Sequence, residues 1–205
     1  MKSKIFISWS GPLGESIAAK LREFLPSAYP NCDAFFSQKD IISGELGIDR
    51  LVKELRSTQF GFILLTPDAL ISPWVVFESG CLFQSSLTKV FPVLCGIEQS
   101  ALGKHPLGQI QCRKFDKKDL RELISTMNEN SILTKYDQVQ LDHWFDAAWV
   151  KFEMELVMSK LEGVAKSRNS EPKVGDQVAA AIIGQGELAT MNVSDLIKIL
   201  KIKGE

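Results

Sequence analysis

Short apolar segments alternate with amphipathic segments along residues 1–130. Phe60–Leu65 (FGFILL) is apolar on both faces, as expected for a central parallel strand, and Lys4–Ser8 (KIFIS) is a second strand candidate. Gly14–Leu25 carries apolar residues at helical spacing, and Pro26 and Pro30 are expected to end that helix. The remaining predicted strands are Asp33–Phe36, Val90–Leu94 and Gln111–Phe115, and the remaining predicted helices are Glu45–Arg56, Pro73–Ser86 and a helix capped by Asp116. This alternation predicts an α/β fold with a parallel sheet of about five strands and helices on both faces.

The pattern changes after this region. Asp137–Leu161 again has apolar residues three and four apart, which predicts a helix that packs on the domain. Gly163–Gly175 is polar and is typical of a linker, and two short helices are predicted after it. We therefore predict an α/β domain at residues 1–135, a packing helix at 136–162, and a linker with a small helical tail at 163–205.

Charge and hydropathy exclude several classes of protein. Lys and Arg number 24 against 25 Asp and Glu, and this balance argues against a strongly basic nucleic-acid binder. The longest stretch poor in charge, Ala69–Thr88, contains Pro73 and Glu78 and is a poor membrane span. The N-terminus has too short an apolar run for a signal peptide. We expect a cytoplasmic protein that binds neither nucleic acid nor membrane.

The four cysteines do not indicate a metal site. They are 49, 14 and 17 residues apart in the chain, and no pair has CxxC or metal-ligand spacing. We interpret them as reduced thiols in a cytosolic protein. His105 and His143 are not spaced for a metal or a catalytic triad, although His105 follows the fourth predicted strand and is a candidate for a pocket role.

Glu78 is the one charged residue between Asp68 and Lys89. Its neighbours are apolar, so the helix that carries it is expected to be largely buried. A buried carboxylate is costly unless it is paired or borders a wet cavity. Two interpretations follow. Glu78 either braces the scaffold by capping a loop or pairing with a cation, or it is a catalytic carboxylate in an aromatic cleft that includes Trp74, one helical turn earlier.

Four short motifs occur in the same order as in a known family. They are KIFISWS at the first strand, KDIISG in the loop after the second strand, the segment FGFILLTPDAL, and Ser72-Pro-Trp74-Val-Val-Phe-Glu78 at the third helix. In this order and spacing, residues 1–130 resemble a Toll/interleukin-1 receptor (TIR) domain. The family often has tryptophan where this chain has Gly47. The resemblance implies a flavodoxin-like open parallel sheet, here followed by a C-terminal helical extension.

The resemblance also implies an activity. Many bacterial TIR domains cleave NAD+, and the glutamate at the position of Glu78 is their catalytic residue. NAD+ is then the substrate, no separate cofactor or metal is needed, and the products are nicotinamide with ADP-ribose or a cyclic isomer. A role in bacterial antiphage defence and self-association through TIR surfaces are implied as well. From the length of the chain, we expect sensing or effector functions to lie on a separate protein. Two alternatives stay open, a non-catalytic adaptor that acts by self-association and an enzyme that transfers part of NAD+ to another small molecule.

The resemblance assigns further roles around Glu78. Trp9 either stacks on a base of the substrate or is a surface aromatic residue at a strand end. Lys39 either meets the pyrophosphate or is a solvated loop residue. Asp40 and Gly44 are expected to shape their loop, through local hydrogen bonds and positive φ respectively. The predicted substrate-binding residues are Ser8, Trp9, Ser10, Lys39 and Trp74, of which the two serines donate hydrogen bonds to phosphate or ribose.

Overall fold

Five parallel strands form a single sheet in the computed structural model, which describes residues 2–36, 45–133 and 135–168. The strands are β1 (Ser3–Ser8), β2 (Cys32–Phe36), β3 (Phe60–Leu65), β4 (Lys89–Leu94) and β5 (Arg113–Lys114). Their order in the sheet is β2-β1-β3-β4-β5, and every neighbouring pair is parallel. The predicted fold class, an open parallel α/β sheet of the flavodoxin-like order, is confirmed.

Helices follow the strands, and all of them except the short Pro67–Leu70 helix were predicted from the sequence. They are α1 (Gly11–Ala28), α2 (Glu45–Ser57), α3 (Pro67–Leu70), α4 (Pro73–Gln84), α5 (Lys117–Glu129) and α6 (Gln138–Arg168). The Ser72 hydroxyl accepts a hydrogen bond from the Val75 N–H at the start of α4. Asp116 caps α5 in the same way, through the Asp119 N–H. Both caps satisfy backbone donors that a helix start leaves free, so these two boundaries agree with the sequence.

Most of the other boundaries differ from the prediction by one or two residues, and among the strands and the helices that connect them α1 and β5 differ most. α1 begins at Gly11 and continues past Pro26 to Ala28, so Pro26 does not end the helix. A proline in the last turn costs one hydrogen bond and is tolerated where packing holds the helix, and the chain leaves the helix at Tyr29. β5 is only two residues long and pairs with Val93 and Leu94. Pro92 therefore lies just before the residues that pair with β5, so its missing N–H removes no hydrogen bond to β5.

One face of the sheet receives α4 through a close contact at a glycine. Gly61 in β3 faces Leu82 of α4, and a Cβ at Gly61 would lie 2.8 Å from Leu82 Cδ1. Phe6 of β1 is the register partner of Gly61, and Ser8 is the partner of Ile63. Side chains two residues apart on a strand share a face, so Ser8 points to the side of the sheet that α4 covers.

The chain divides into two compact units, Met1–Val150 and Lys151–Glu205. In the first unit, the beginning of α6 packs on α1, because the Phe145 and Trp149 rings lie edge-on to Phe24 at centroid distances of 5.6 and 6.0 Å. In the second unit, the described residues continue this helix to Arg168. The domain boundaries at 135 and 162 stay a prediction, and the predicted tail helices lie outside the described residues. No helix in the described part of the chain is long and apolar enough to cross a membrane.

Candidate functional site

The carboxyl ends of β1 and β3 lie side by side at the centre of the sheet. From β1 the chain goes outward to β2 and then returns to β3 on the other side, so the strand order reverses at this point. In open α/β sheets, ligands bind at this reversal, beyond the carboxyl ends of the strands. The topology thus places the candidate site where Ser8 ends β1 and Leu65 ends β3.

The loops that follow these two strands touch each other. Thr66 Oγ1 donates a hydrogen bond of 3.3 Å to the carbonyl oxygen of Ser10. Gly11 has φ +74°, and a Cβ at this position would overlap the Asp68 carboxylate. A residue other than glycine would therefore be excluded both by its backbone conformation and by Asp68. Ser10 meets the β3 loop through its backbone, at the N-cap of α1, where its side chain makes no capping hydrogen bond.

Ser8 and Glu78 form a buried polar pair. Ser8 Oγ donates a hydrogen bond of 2.6 Å to Glu78 Oε2, and both residues are 0% exposed. The fold explains how residues 70 positions apart meet. Gly61 lets Leu82 approach β3 closely, and Glu78 is one turn before Leu82 on the same face of α4. A distance of 2.6 Å is typical of a hydroxyl that donates to an ionised carboxylate.

Trp74 lies in the first turn of α4, one turn before Glu78. It is 37% exposed, and its ring contacts Phe77 at a centroid distance of 5.5 Å. Glu78, four residues later, is fully buried. In this structure Trp74 therefore forms part of the helix surface, and its predicted role in substrate binding stays a prediction.

Trp9 points to the opposite face of the sheet from Ser8. Consecutive residues of an extended chain alternate in direction, and the Trp9 side chain lies against α1, where a Cβ at Gly14 would be 3.3 Å from Trp9 Cβ. Trp9 is 5% exposed, so the prediction of a surface aromatic residue is wrong. Its buried Nε1 has no hydrogen-bond acceptor among the residues that the structure describes. With the ring buried, stacking on a base would require a change in this packing.

The other predicted residues of the loop after β2 cannot be placed. Lys39, Asp40 and Gly44 all lie outside the described residues. Their proposed roles, contact with the pyrophosphate for Lys39 and loop shaping for Asp40 and Gly44, stay predictions. Of the residues predicted from the sequence, the structure brings together Ser8 and Glu78.

A small apolar groove, not predicted from the sequence, lies between α4 and the turn at residues 105–110. It has a volume of about 180 Å³ and is lined by Val76, Ser79, Gly80, Phe83, His105, Pro106, Leu107 and Ile110. His105 Nδ1 accepts a hydrogen bond of 3.2 Å from the Leu107 N–H, which orders the turn on one side of the groove. The predicted pocket role of His105 thus corresponds to a position in this groove. The signal in the sequence for an apolar surface on α4 was that Glu78 is its one charged residue.

Asp68 and Thr66 are further polar residues at the site that the sequence analysis did not single out. Thr66 is buried and Asp68 is exposed at the start of α3. Both follow a central strand directly, so their position after FGFILL was the available signal.

The cysteines and acidic residues in the described part of the chain form no metal centre. No group of three or more metal-ligating side chains occurs there, and all four cysteines are free thiols. Burial raises the pKa of the Cys32 thiol to about 12 and raises that of Cys95 as well. Burial also raises the pKa of Cys81, while Arg56 lowers it and Glu78 adds to the rise. These thiols are therefore protonated at neutral pH and are poor nucleophiles.

No protein-family model matches the sequence, and no curated protein matches it significantly. Among solved structures, the chain is similar to the TIR domains of the activated Roq1 resistosome, a complex that directly recognises the pathogen effector XopQ. The two chains share 17% sequence identity with a TM-score of 0.43, and the match covers 72% of this chain and 81% of that chain.

Proposed function

We propose that this protein is a TIR-family enzyme that cleaves the bond between nicotinamide and ribose in NAD+, with Glu78 as its catalytic residue. The observation that carries the proposal is the buried Ser8–Glu78 pair, in which Ser8 is the last residue of β1 and Glu78 lies on α4. A carboxylate held at the reversal point of an open sheet is positioned for a ligand. The four motifs that resemble the TIR family support the same assignment.

The chemistry needs one carboxylate because the leaving group is already cationic. The bond between ribose C1′ and the nicotinamide nitrogen breaks, and its electron pair goes to that nitrogen, so nicotinamide leaves as a neutral molecule. Ordinary glycosides require a second carboxyl group to protonate the leaving group. The Glu78 carboxylate stabilises the positive charge that develops on the ribose. A water molecule then attacks C1′ and loses a proton to solvent, which gives ADP-ribose, or a nucleophile within the substrate gives a cyclic isomer.

Contact between Glu78 and the ribose requires a change from the structure described above. Glu78 is 0% exposed, so a substrate cannot touch it in this arrangement. Binding of NAD+, or assembly with a second copy, must therefore open the packing around the carboxylate. The proposed enzyme is in a closed state until this happens.

Chromatography of NAD+ incubated with the purified protein tests the proposal. We expect nicotinamide together with ADP-ribose, a cyclic isomer or a conjugate, and we expect Glu78→Gln to lose the activity. Glu23→Gln changes an exposed glutamate of α1 and serves as the matched control, with activity equal to wild type. Intact NAD+ at high protein concentration and with crowding agents would refute the enzymatic proposal.

A non-catalytic adaptor is the second candidate, and one observation favours it. Four large apolar residues on α4 are between 37% and 42% exposed, namely Trp74, Val76, Phe77 and Phe83. Exposed apolar surface of this kind is typical of interaction sites. If the protein self-associates through this surface and leaves NAD+ intact, the adaptor is supported. If the rate of NAD+ cleavage rises steeply with protein concentration, the protein is an enzyme that also self-associates.

A further inference from the structure

The position of Ser8 differs from the role that its sequence context suggested. As a substrate-binding residue, its hydroxyl would face phosphate or ribose. In the structure the hydroxyl instead donates to Glu78 Oε2 at 2.6 Å, inside the protein, where both residues are 0% exposed. The Ser8 proton is therefore committed to the carboxylate.

The donor stands on a rigid element. β1 is paired with β2 on one side and with β3 on the other, and Ser8 itself is in register with Ile63. A group on a strand held on both sides keeps its position better than a group on a loop. In the Ser8–Glu78 contact, the hydroxyl is therefore on the element whose position is fixed from both sides.

Burial alone works against the proposed reaction. A carboxylate removed from water prefers its neutral form, whereas stabilisation of a cationic ribose requires the ionised form. A hydrogen bond donated to the ionised carboxylate favours the charged state. The hydrogen bond from the Ser8 hydroxyl thus opposes the effect of burial on the charge of Glu78.

We infer that Ser8 is a positioning residue that orients Glu78 and keeps its carboxylate ionised, and does not bind the substrate. The part of this inference that concerns catalysis rests on the proposed function. The contact with Glu78 does not, so the two can fail separately.

The kinetic test uses Ser8→Ala with a control from the same strand. Ser3 is also 0% exposed, and its Oγ has no hydrogen-bond partner among the described residues, so Ser3→Ala removes an equally buried hydroxyl far from Glu78. For Ser8→Ala we expect kcat to fall roughly tenfold or more with KM nearly unchanged, and the acid limb of the pH–rate profile to move to higher pH. Ser8→Thr keeps a hydroxyl and is expected to recover part of the loss. Ser3→Ala is expected to leave all three readouts unchanged.

A second test needs no activity. Unfolding in urea is measured for wild type, Ser8→Ala, Glu78→Gln and the double variant, at several pH values. We expect a coupling of about tenfold or more in the unfolding equilibrium constant at neutral pH. The coupling is expected to be smaller at a pH low enough to protonate the carboxylate, because the stronger hydrogen bond is made to the ionised form.

The outcomes separate the inference from the proposed function. If wild type leaves NAD+ intact but the coupling is present, the proposed function fails and the positioning of Glu78 stands. If Ser8→Ala raises KM and leaves kcat and the pH profile unchanged, Ser8 binds the substrate and the inference is wrong. Additive stabilities at every pH, or a more active Ser8→Ala variant, would also overturn it.

Discussion

α4 and α5 have similar lengths and the opposite distribution of polar and apolar residues. α5 buries apolar side chains, such as Leu120 and Leu123, and keeps its charges outside, where Arg121 pairs with Asp142 at 2.7 Å. α4 buries the carboxylate of Glu78 and leaves large aromatic side chains exposed. α5 is arranged for stability, because it satisfies the ordinary pattern of an amphipathic helix. Departures from that pattern, such as those in α4, are expected where a protein has a site or an interaction surface.

The largest effect on stability is expected in α5. Leu123→Ala removes a buried side chain and leaves a cavity, which costs about 2–5 kcal/mol of unfolding free energy. Urea unfolding monitored by circular dichroism measures this loss. The activity per folded molecule should stay at the wild-type level. A variant that is fully stable but inactive would contradict the assignment of α5 to the scaffold.

A change at the contact between β3 and α4 is expected to affect both stability and the site. In Gly61→Ala, the new Cβ would lie 2.8 Å from Leu82 Cδ1, so α4 or the leucine must move, at a cost of roughly 1–3 kcal/mol. Because Glu78 is one turn from Leu82, activity per folded molecule should also fall. The double variant Gly61→Ala/Leu82→Val has room for the Cβ and is expected to be more stable than the sum of the two single changes. Simple additivity would show that the two residues do not control this contact.

The charged side chains on the outside of α5 are expected to contribute little to the free energy of unfolding, and to do so only above acid pH. The hydrogen bond with Lys117 and then that with Arg121 lower the pKa of Asp146, which is about half exposed. The folded-state pKa is below the unfolded value of about 3.9, so this contribution is complete above that pH and is lost as the pH falls through the folded pKa. Exposure and screening keep it below about 1 kcal/mol. Urea unfolding of wild type and Asp146→Asn should differ at pH 7 and converge toward pH 3, whereas a constant difference would exclude this electrostatic origin.

The smallest effect on stability is expected at the surface of α4. Phe77→Lys changes a side chain that is 40% exposed, so the free energy of unfolding should change by no more than about 0.5 kcal/mol. If this surface mediates self-association, sedimentation velocity should show weaker association of the variant than of wild type. A change of charge at an exposed residue of α5, Lys118→Glu, is the control and should leave association unchanged. A Phe77→Lys variant that associates like wild type would remove the exposed aromatic residues from the interaction surface.

The sequence predicted the elements of the sheet well and the contacts of the site in part. β3 was predicted with its exact bounds, because a strand buried on both faces has a continuous apolar run. The burial of Glu78 followed from the apolar helix around it. Its hydrogen bond to Ser8 could not be predicted, because it depends on the approach of α4 that Gly61 permits. The burial of Trp9 depends in the same way on α1, which packs over it.

The comparison of the two helices has one direct test, the cleavage of NAD+ by wild type and by Glu78→Gln at equal concentration and equal folded fraction. Product formation is followed by chromatography of nicotinamide, with Glu122→Gln on α5 as the control for loss of an acidic side chain. We expect wild type and Glu122→Gln to release nicotinamide at similar rates and Glu78→Gln to be slower by about 100-fold or more, as is typical when an electrostatic stabiliser of the transition state is lost. A Glu78→Gln variant that cleaves NAD+ at the wild-type rate would contradict the account.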